Sequence, residues 1–317
     1  MLDEAFERRR PILSDMGTTA CRVFNGAGDG IDGLVIERLD EVLIVQCHED
    51  RLALDEDQLR QLGLAAMKML LATAVYRKVF PRDRAQAGKE LSALHRDPQP
   101  WLGTSAAETL IVQEHGLRFA VRPYDGYAFG LFLDHRANRK RVRQLAKGKR
   151  VLNAFAYTCG FTVAAAVGGA VETISLDTSR RFLDWGRGNL ELNGIPNQGH
   201  RFVTSDVIDY LKRAVRRRQR FDLIALDPPT FGRARGKRAF SLRAQLGELV
   251  HLAVDCLARD GWLLLSTNHR PTTRNELERA VTVAARGREL RSIERPSLPP
   301  DFRGDADYAK SILVNIG

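Results

Sequence analysis

The residues best suited to chemistry lie in Phe221–Phe231, FDLIALDPPTF. An apolar strand-like run ends there in Asp227-Pro228-Pro229. Two successive prolines fix φ and hold the backbone extended past the strand end, which suits presenting carbonyls and a carboxylate to a planar acceptor. A second carboxylate, Asp177, ends the run VETISLD and is followed by Thr178 and Ser179. At such a strand end a carboxylate accepts both hydroxyl hydrogens of a ribose. Asp206 follows a third strand-like run, where it can accept from an adenine amino group while Val207 packs on the ring. Taken singly, Asp177 and Asp206 also read as helix N-caps. Together, at the ends of successive strands, they describe a nucleoside site. Val151–Thr162, VLNAFAYTCGFT, reads as strand, turn and helix start, with a glycine that lets the backbone approach a ligand.

These residues need a frame that brings strand ends together. Strands are expected at Val151–Phe155, Val171–Asp177, Arg201–Thr204, Phe221–Asp227, Gly261–Thr267, Leu290–Arg295 and Ser311–Ile316, with helices between them. That alternation implies an α/β fold, a doubly wound sheet with its ligand at the carboxyl ends of the strands. The Pro-containing stretch before the last strand allows an antiparallel insertion. Residues 1–100 are expected to form a small α/β domain, and 101–317 the larger one with a leading β-hairpin. Gly28, Gly30 and Gly33 satisfy a GxGxxG pattern. Strand-like residues follow, so the segment reads as a turn between strands and not as a dinucleotide fingerprint. Without such a fingerprint, the Asp177 site favours S-adenosylmethionine over NAD.

Composition narrows the partners. The 317 residues carry 49 Lys+Arg against 39 Asp+Glu, a net charge of +10. Residues 134–150 hold eight basic side chains against Asp134 alone, and residues 209–243 hold eleven against Asp209, Asp222 and Asp227. Lys212–Arg220 reads as a solvated helix face, but Arg233, Arg235, Lys237 and Arg238 form a cationic loop directly after the Asp-Pro-Pro motif. Such a loop neutralises phosphates and releases their counterions. No apolar run is long enough for a membrane helix, and the N-terminus lacks a signal-peptide core, so a cytoplasmic protein without a membrane partner is expected. Cys21, Cys47, Cys159 and Cys256 are widely spaced, which argues against disulfides or a cysteine metal site; no metal is expected.

With these residues in place, the chain resembles the bacterial 23S ribosomal RNA base methyltransferases of the large subunit. GLFLDHRANR, VLNAFAYTCGF, ISLDTSRRFLDWGRGNLELNG, LIALDPPTFGRARGK and LLLSTNHR are similar to successive motifs of that family. The likeness covers about Thr109 to Gly317. The N-terminal GAGDGIDGLVIERLDEVLIVQ also resembles the middle domain of the cytosine-C5 branch, whose PUA domain is expected to be missing here. LFLDHR, LDWGRGNLELNG and DPPTF look closer to the guanine-N7 branch. The resemblance implies a class I S-adenosylmethionine-dependent enzyme with cofactor contacts from Phe132, Asp134 and Arg136, from Asn153, Phe155, Tyr157 and Gly160, from Asp177, Thr178 and Ser179, and from Asp206, Val207 and Asp227. Its expected partner is 23S rRNA or a precursor large subunit, with a recognition role for the N-terminal domain.

The chemistry of the acceptor then decides between branches. Cytosine C5 becomes nucleophilic only after a thiolate adds to C6. In the cytosine branch that cysteine follows the fifth strand, where this chain has Thr267-Asn268. Cys159 and Cys256 read as packing residues. Guanine N7 needs neither thiolate nor proton removal, so Asp227, Pro228, Pro229 and Asn268 are expected to position it, Asp227 accepting from N1 or N2 and Asn268 reading a base edge. Phe231 is expected to stack on a flipped base, a role that Phe240 shares equally with a core one. His269 and Arg270 are expected to contact RNA, His269 through a phosphate or as a cap. Two alternatives stay open: a cytosine-C5 enzyme with a displaced cysteine, and a non-catalytic RNA-binding or ribosome-assembly protein.

Overall fold

The computed structural model describes residues 1–82, 93–232 and 240–317. They form two compact units, Met1–Arg136 with Pro299–Asp305, and Ala137–Leu298 with Ala306–Gly317.

The first unit opens with helix α1 (Leu2–Leu13), whose Leu2, Ala5 and Phe6 join a core with strands β1 (Ala20–Asn25), β2 (Leu34–Leu39) and β3 (Val42–His48). Asp55 and Gln58 form a reciprocal capping box that starts α2 (Glu56–Met69). This helix is the crossover that lets β4 (Ala74–Phe80) lie parallel to β3, while β5 (Leu102–Gly103) closes the five-stranded sheet antiparallel to β4. The glycine-rich segment joins β1 to β2 through a 3-10 turn, Gly26–Asp29, as a turn between strands requires. Gly28 is needed for a close approach: a Cβ there would lie 2.2 Å from the Arg303 carbonyl oxygen.

This unit runs past the expected boundary at residue 100. The hairpin of β6 (Leu110–Glu114) and β7 (Leu117–Val121) belongs to it because Thr19 N–H donates to the Gln113 carbonyl at 2.9 Å and Gln113 N–H donates to Thr19 Oγ1 at 3.0 Å. Pro299–Asp305 is drawn in by polar contacts. Asp301 Oδ2 accepts from Arg22 N–H at 2.9 Å, and the Arg22 guanidinium sits 4.0 Å from the Phe302 ring centroid.

The second unit is the doubly wound sheet. After α3 (Arg136–Leu145), which begins at the boundary between the units, come β8 (Arg150–Ala154), α4 (Gly160–Val167), β9 (Glu172–Asp177), α5 (Arg180–Leu192), β10 (His200–Thr204), α6 (Val207–Arg216) and β11 (Phe221–Leu226). A two-residue ribbon, β12 (Phe231–Gly232) and β13 (Phe240–Ser241), precedes α7 (Leu242–Asp255), β14 (Leu257–Thr267), α8 (Arg274–Ala285), β15 (Leu290–Glu294) and β16 (Lys310–Ile316). The strand order is β10-β9-β8-β11-β14-β16-β15. The first five strands are parallel, and β16 lies antiparallel to both β14 and β15.

Period-2 alternation sets the two faces. Leu152, Ala154, Ile174, Leu176, Ile224, Leu226, Leu263 and Leu265 bury against α6, α7 and α8. Asn153 and Ser175, one residue out of phase, meet Thr162 of α4 instead: Asn153 Nδ2 donates to Thr162 Oγ1 at 2.9 Å, and that hydroxyl lies 2.7 Å from Ser175 Oγ. Among the described residues no helix is long and apolar enough to cross a membrane, and no cluster of His, Cys, Asp or Glu could hold a metal ion.

Candidate cofactor and base site

Strand order reverses between β8 and β11, so the chain leaves these neighbours in opposite directions, and in such sheets ligands bind beyond the carboxyl ends at that switch point. The residues singled out in the second unit lie at or just after the ends of β8, β9, β10, β11 and β14.

The segment after β8 is unusual. Phe155, Tyr157 and Cys159 all have left-handed backbones, with φ of 60°, 48° and 64°. Non-glycine residues there cost free energy and persist only when surrounding structure over-determines them. Here Asp177 does so: Oδ2 accepts from Tyr157 N–H at 2.9 Å and Oδ1 from Ser179 N–H at 2.8 Å. Helix α5 supports the same segment from behind, with Asn189 Nδ2 donating to the Thr158 carbonyl at 3.0 Å. Gly186 leaves room for Cys159, since a Cβ at 186 would come within 2.3 Å of its sulfur. Burial pushes the Asp177 carboxyl pKa up, against the lowering effect of its backbone hydrogen bonds. Thr178 is exposed beside it, and Ser179 caps α5 by accepting from Phe182 N–H at 3.4 Å.

At the next strand end, Ser205 N–H donates to the Asp177 carbonyl at 3.0 Å, which sets the two turns side by side. Asp206 caps α6, one carboxylate oxygen accepting from Asp209 N–H at 3.0 Å, and Val207 is buried. Arg213 reaches back to Ser205 Oγ at 2.9 Å. Asp227 is half-buried after β11, Pro228 buried and Pro229 exposed. Thr230 Oγ1 donates to Asn268 Oδ1 at 3.2 Å, joining the segments after β11 and β14. Asn268 is exposed; His269 is half-buried, with Nδ1 2.7 Å from Thr272 Oγ1, and Arg270 is exposed. Phe240 is half-buried, its ring centroid 5.4 Å from that of Phe155.

Phe231 opens the ribbon as backbone partner of Ser241. Arg233, Arg235, Lys237 and Arg238 lie outside the described residues. Phe132, Asp134 and Arg136 belong to the first unit. There Phe132 is 44% exposed, Asp134 is buried 3.8 Å from His135 Nε2, and Arg136 is committed to a buried ion pair with Asp301. In the second unit Asn153 is buried, its Nδ2 donating to Thr162 at the start of α4.

Thr230, Gly186 and Asn189 lie inside the DPPTF and LDWGRGNLELNG segments, but the sequence assigned them no role, because each acts through a partner distant in sequence. Lys310 is another: buried, it donates to the Arg270 carbonyl at 3.1 Å and the Asp307 carbonyl at 3.2 Å, fixing the turn after β14. A charged residue opening the apolar run SILVNI was its only sequence signal. The four cysteines are all buried. Burial raises the Cys21, Cys47 and Cys159 thiols to about 12 and Cys256 to about 11, so none has appreciable thiolate character near neutrality.

The donor set fits S-adenosylmethionine. Asp177 retains a lone pair for a ribose hydroxyl, Asp206 sits one strand over beside the apolar Val207, and the left-handed segment between β8 and α4 is tied to Asp177 through Tyr157 N–H.

Residues 26–314 match the family model described as S-adenosylmethionine-dependent methyltransferase. The ribosomal RNA large subunit methyltransferase of Deinococcus radiodurans is 34% identical over 99% of this chain and 78% of its own length. Ribosomal RNA large subunit methyltransferase K of Neisseria meningitidis is 39% identical over 62% of this chain and 54% of its own. The crystal structure of SMU.776 complexed with SAH superposes with a TM-score of 0.84 at 26% identity, covering 99% of this chain and 80% of that one. The family match, the strand order and the carboxylates at the strand ends agree: the chain belongs to the S-adenosylmethionine-dependent methyltransferase family.

Proposed function

We propose that the chain methylates a base of large-subunit ribosomal RNA at a ring nitrogen, with guanine N7 as the acceptor. The relatives named above act, by their names, on ribosomal RNA of the large subunit, and the chain's net charge of +10 suits a polyanionic substrate. The choice of atom rests on one observation: the chain has Thr267-Asn268 where a C5 reaction needs a thiolate, and every cysteine is buried with a raised pKa.

S-adenosylmethionine, when bound, supplies an electrophilic methyl group on a sulfonium. Asp177 accepts from the ribose hydroxyls, Asp206 accepts from the adenine amino group and Val207 packs on that ring. Pro228 and Pro229 keep the backbone after β11 extended, and Asp227 accepts from guanine N1 or N2. Asn268 reads the base edge. Guanine N7 carries its lone pair in the ring plane, so the chain has no proton to remove, and orientation supplies most of what it contributes. His269 and Arg270, with the basic residues of 233–238, contact phosphates.

The test is methyl transfer from labelled S-adenosylmethionine to unmodified 23S rRNA, read by nucleoside mass spectrometry. A 7-methylguanosine product is the expected result. Label on 5-methylcytidine overturns the choice of atom. No label on naked RNA or on precursor subunits overturns the substrate.

A further inference from the structure

The first unit carries an aromatic cluster that the reaction does not use. His48 and Phe80 end the parallel strands β3 and β4 as direct register partners. Their rings stack at 4.7 Å with 16° between planes. Tyr127 packs on the Phe80 ring at 5.3 Å, and the His95 ring meets Tyr127 edge-on at 4.6 Å. Burial and the nearby Lys78 ammonium push His95 down to about 4, so its ring is neutral at physiological pH.

Large aromatic side chains normally spend their area inside a core, yet Tyr127 is 44% exposed. Its position is nevertheless tightly fixed. The preceding residue, Gly126, has its carbonyl held by the Lys78 ammonium, itself only 1% exposed, and its N–H donates to the His95 carbonyl at 3.2 Å. His95 is anchored in turn by accepting from Val79 N–H at 3.0 Å. Burying a lysine is costly and is repaid only by such fixed partners. The outcome is a rigid ring backed by two further rings, with part of its surface in solvent. A cation stands beside it: Arg96 is exposed, and its Nε lies 3.9 Å from where a Cβ on Gly126 would sit.

A pre-ordered aromatic surface next to an exposed guanidinium matches the two parts of an unpaired nucleotide, a flat base and a phosphate. We infer that the His48–Phe80–Tyr127 aromatic cluster, with Arg96 beside the Gly126 backbone, is a stacking platform for an unpaired base of the RNA substrate. This rests on the RNA reading of the preceding section. Rigid presentation matters because a ring already fixed in place loses little conformational entropy when a base stacks on it.

The experiment measures binding of unmodified 23S rRNA to the full chain across a series of salt concentrations, for the wild type, Tyr127→Ala and Tyr127→Phe. Tyr127→Ala is expected to weaken binding roughly 5- to 100-fold, while Tyr127→Phe, which keeps the ring, stays within about twofold. The logarithmic salt slope should not change in either variant, because stacking releases no counterions. Calorimetric affinity for S-adenosylhomocysteine should also hold, which reports that the second unit is intact. Equal RNA affinity for wild type and Tyr127→Ala overturns the platform, as does a loss accompanied by a flattened salt slope. Absence of both RNA binding and methyl transfer in the wild type overturns the RNA reading itself, a distinct result.

Discussion

The Thr230 hydroxyl donates to the Asn268 side-chain oxygen, so the segments following β11 and β14 are joined by a hydrogen bond of 3.2 Å beyond the carboxyl ends of both strands. That bond occupies the acceptor end of the Asn268 amide and leaves its NH2 group, on an exposed side chain, to donate. A donor suits the guanine edge beside N7, which offers the O6 acceptor.

Asn268→Ala should therefore raise KM for RNA or lower kcat/KM about tenfold, the scale of one well-placed hydrogen bond of about 1.4 kcal/mol, with S-adenosylhomocysteine affinity unchanged. Asn268→Asp should be worse, because it replaces the donors by a charge facing an acceptor edge. Thr230→Val should show a milder loss, since it frees the amide without removing it. Steady-state kinetics on the three variants decide the matter. Equal kcat/KM in Asn268→Asp and wild type would exclude a donor role.

Asp177 makes a pH prediction. Burial raises its carboxyl pKa in the folded protein, so ionising it costs folding free energy above that pKa, and the cost disappears as pH falls through it. Ribose hydroxyls donate only to lone pairs and favour the ionised form, so ligand binding must pull the pKa back down. Affinity for S-adenosylhomocysteine is then highest near neutrality and declines as pH drops, beginning above the usual aspartate value of about 3.9. Calorimetry from about pH 7 to about pH 4 should show that decline in the wild type and a flatter, weaker profile in Asp177→Asn. Identical profiles would mean that Asp177 organises the Tyr157 turn without touching ligand.

The strand ends bearing Asp177, Asp206 and Asp227 were legible in the sequence because each signal is local: an apolar run interrupted by an acid or by Pro-Pro. The sheet's alternation was legible for the same reason. What escaped depends on contacts between distant residues. Nothing near Pro299–Asp305 announces that it belongs with the first unit, because the pull comes from Arg22, Asn25 and Arg136, more than 160 residues away. Thr230 and Lys310 are ordinary residues until the sheet places Asn268 and Arg270 beside them. The left-handed residues after β8 carry no glycine signature, since hydrogen bonds to Asp177 and the Thr158 carbonyl impose that conformation.

The cysteines separate nitrogen from C5 chemistry. With thiols pushed to about 12 for Cys159 and about 11 for Cys256, the thiolate fraction near pH 7 is on the order of one part in ten thousand or less. Cys159→Ala and Cys256→Ala should each retain methyl transfer within about twofold, after allowing for a core stability loss of about 1–2 kcal/mol. The wild type should form no covalent adduct with RNA carrying 5-fluorocytidine. A denaturation-resistant adduct that disappears in one variant would identify that cysteine as a nucleophile.

Two glycines of α5 test whether the turn after β8 must be held in place for the cofactor. Gly186 faces Cys159 so closely that an added Cβ would lie 2.3 Å from its sulfur and 2.6 Å from its Cβ, whereas nothing lies within 4 Å of a Cβ at Gly188. Both sit in the same helix, so the substitution to alanine gains the same helix propensity at either position, about 1 kcal/mol. Gly188→Ala should keep that gain and raise the thermal midpoint with unchanged S-adenosylhomocysteine affinity. Gly186→Ala must instead displace Cys159, with an overpacking cost of about 1–3 kcal/mol. Cys159 and Tyr157 belong to one short turn, so the displacement loosens the Tyr157 N–H bond to Asp177, and affinity should fall several-fold even at temperatures where the variant is fully folded. Matching calorimetric affinities for the two variants would show that the left-handed turn tolerates movement and that its conformation is not what readies the site.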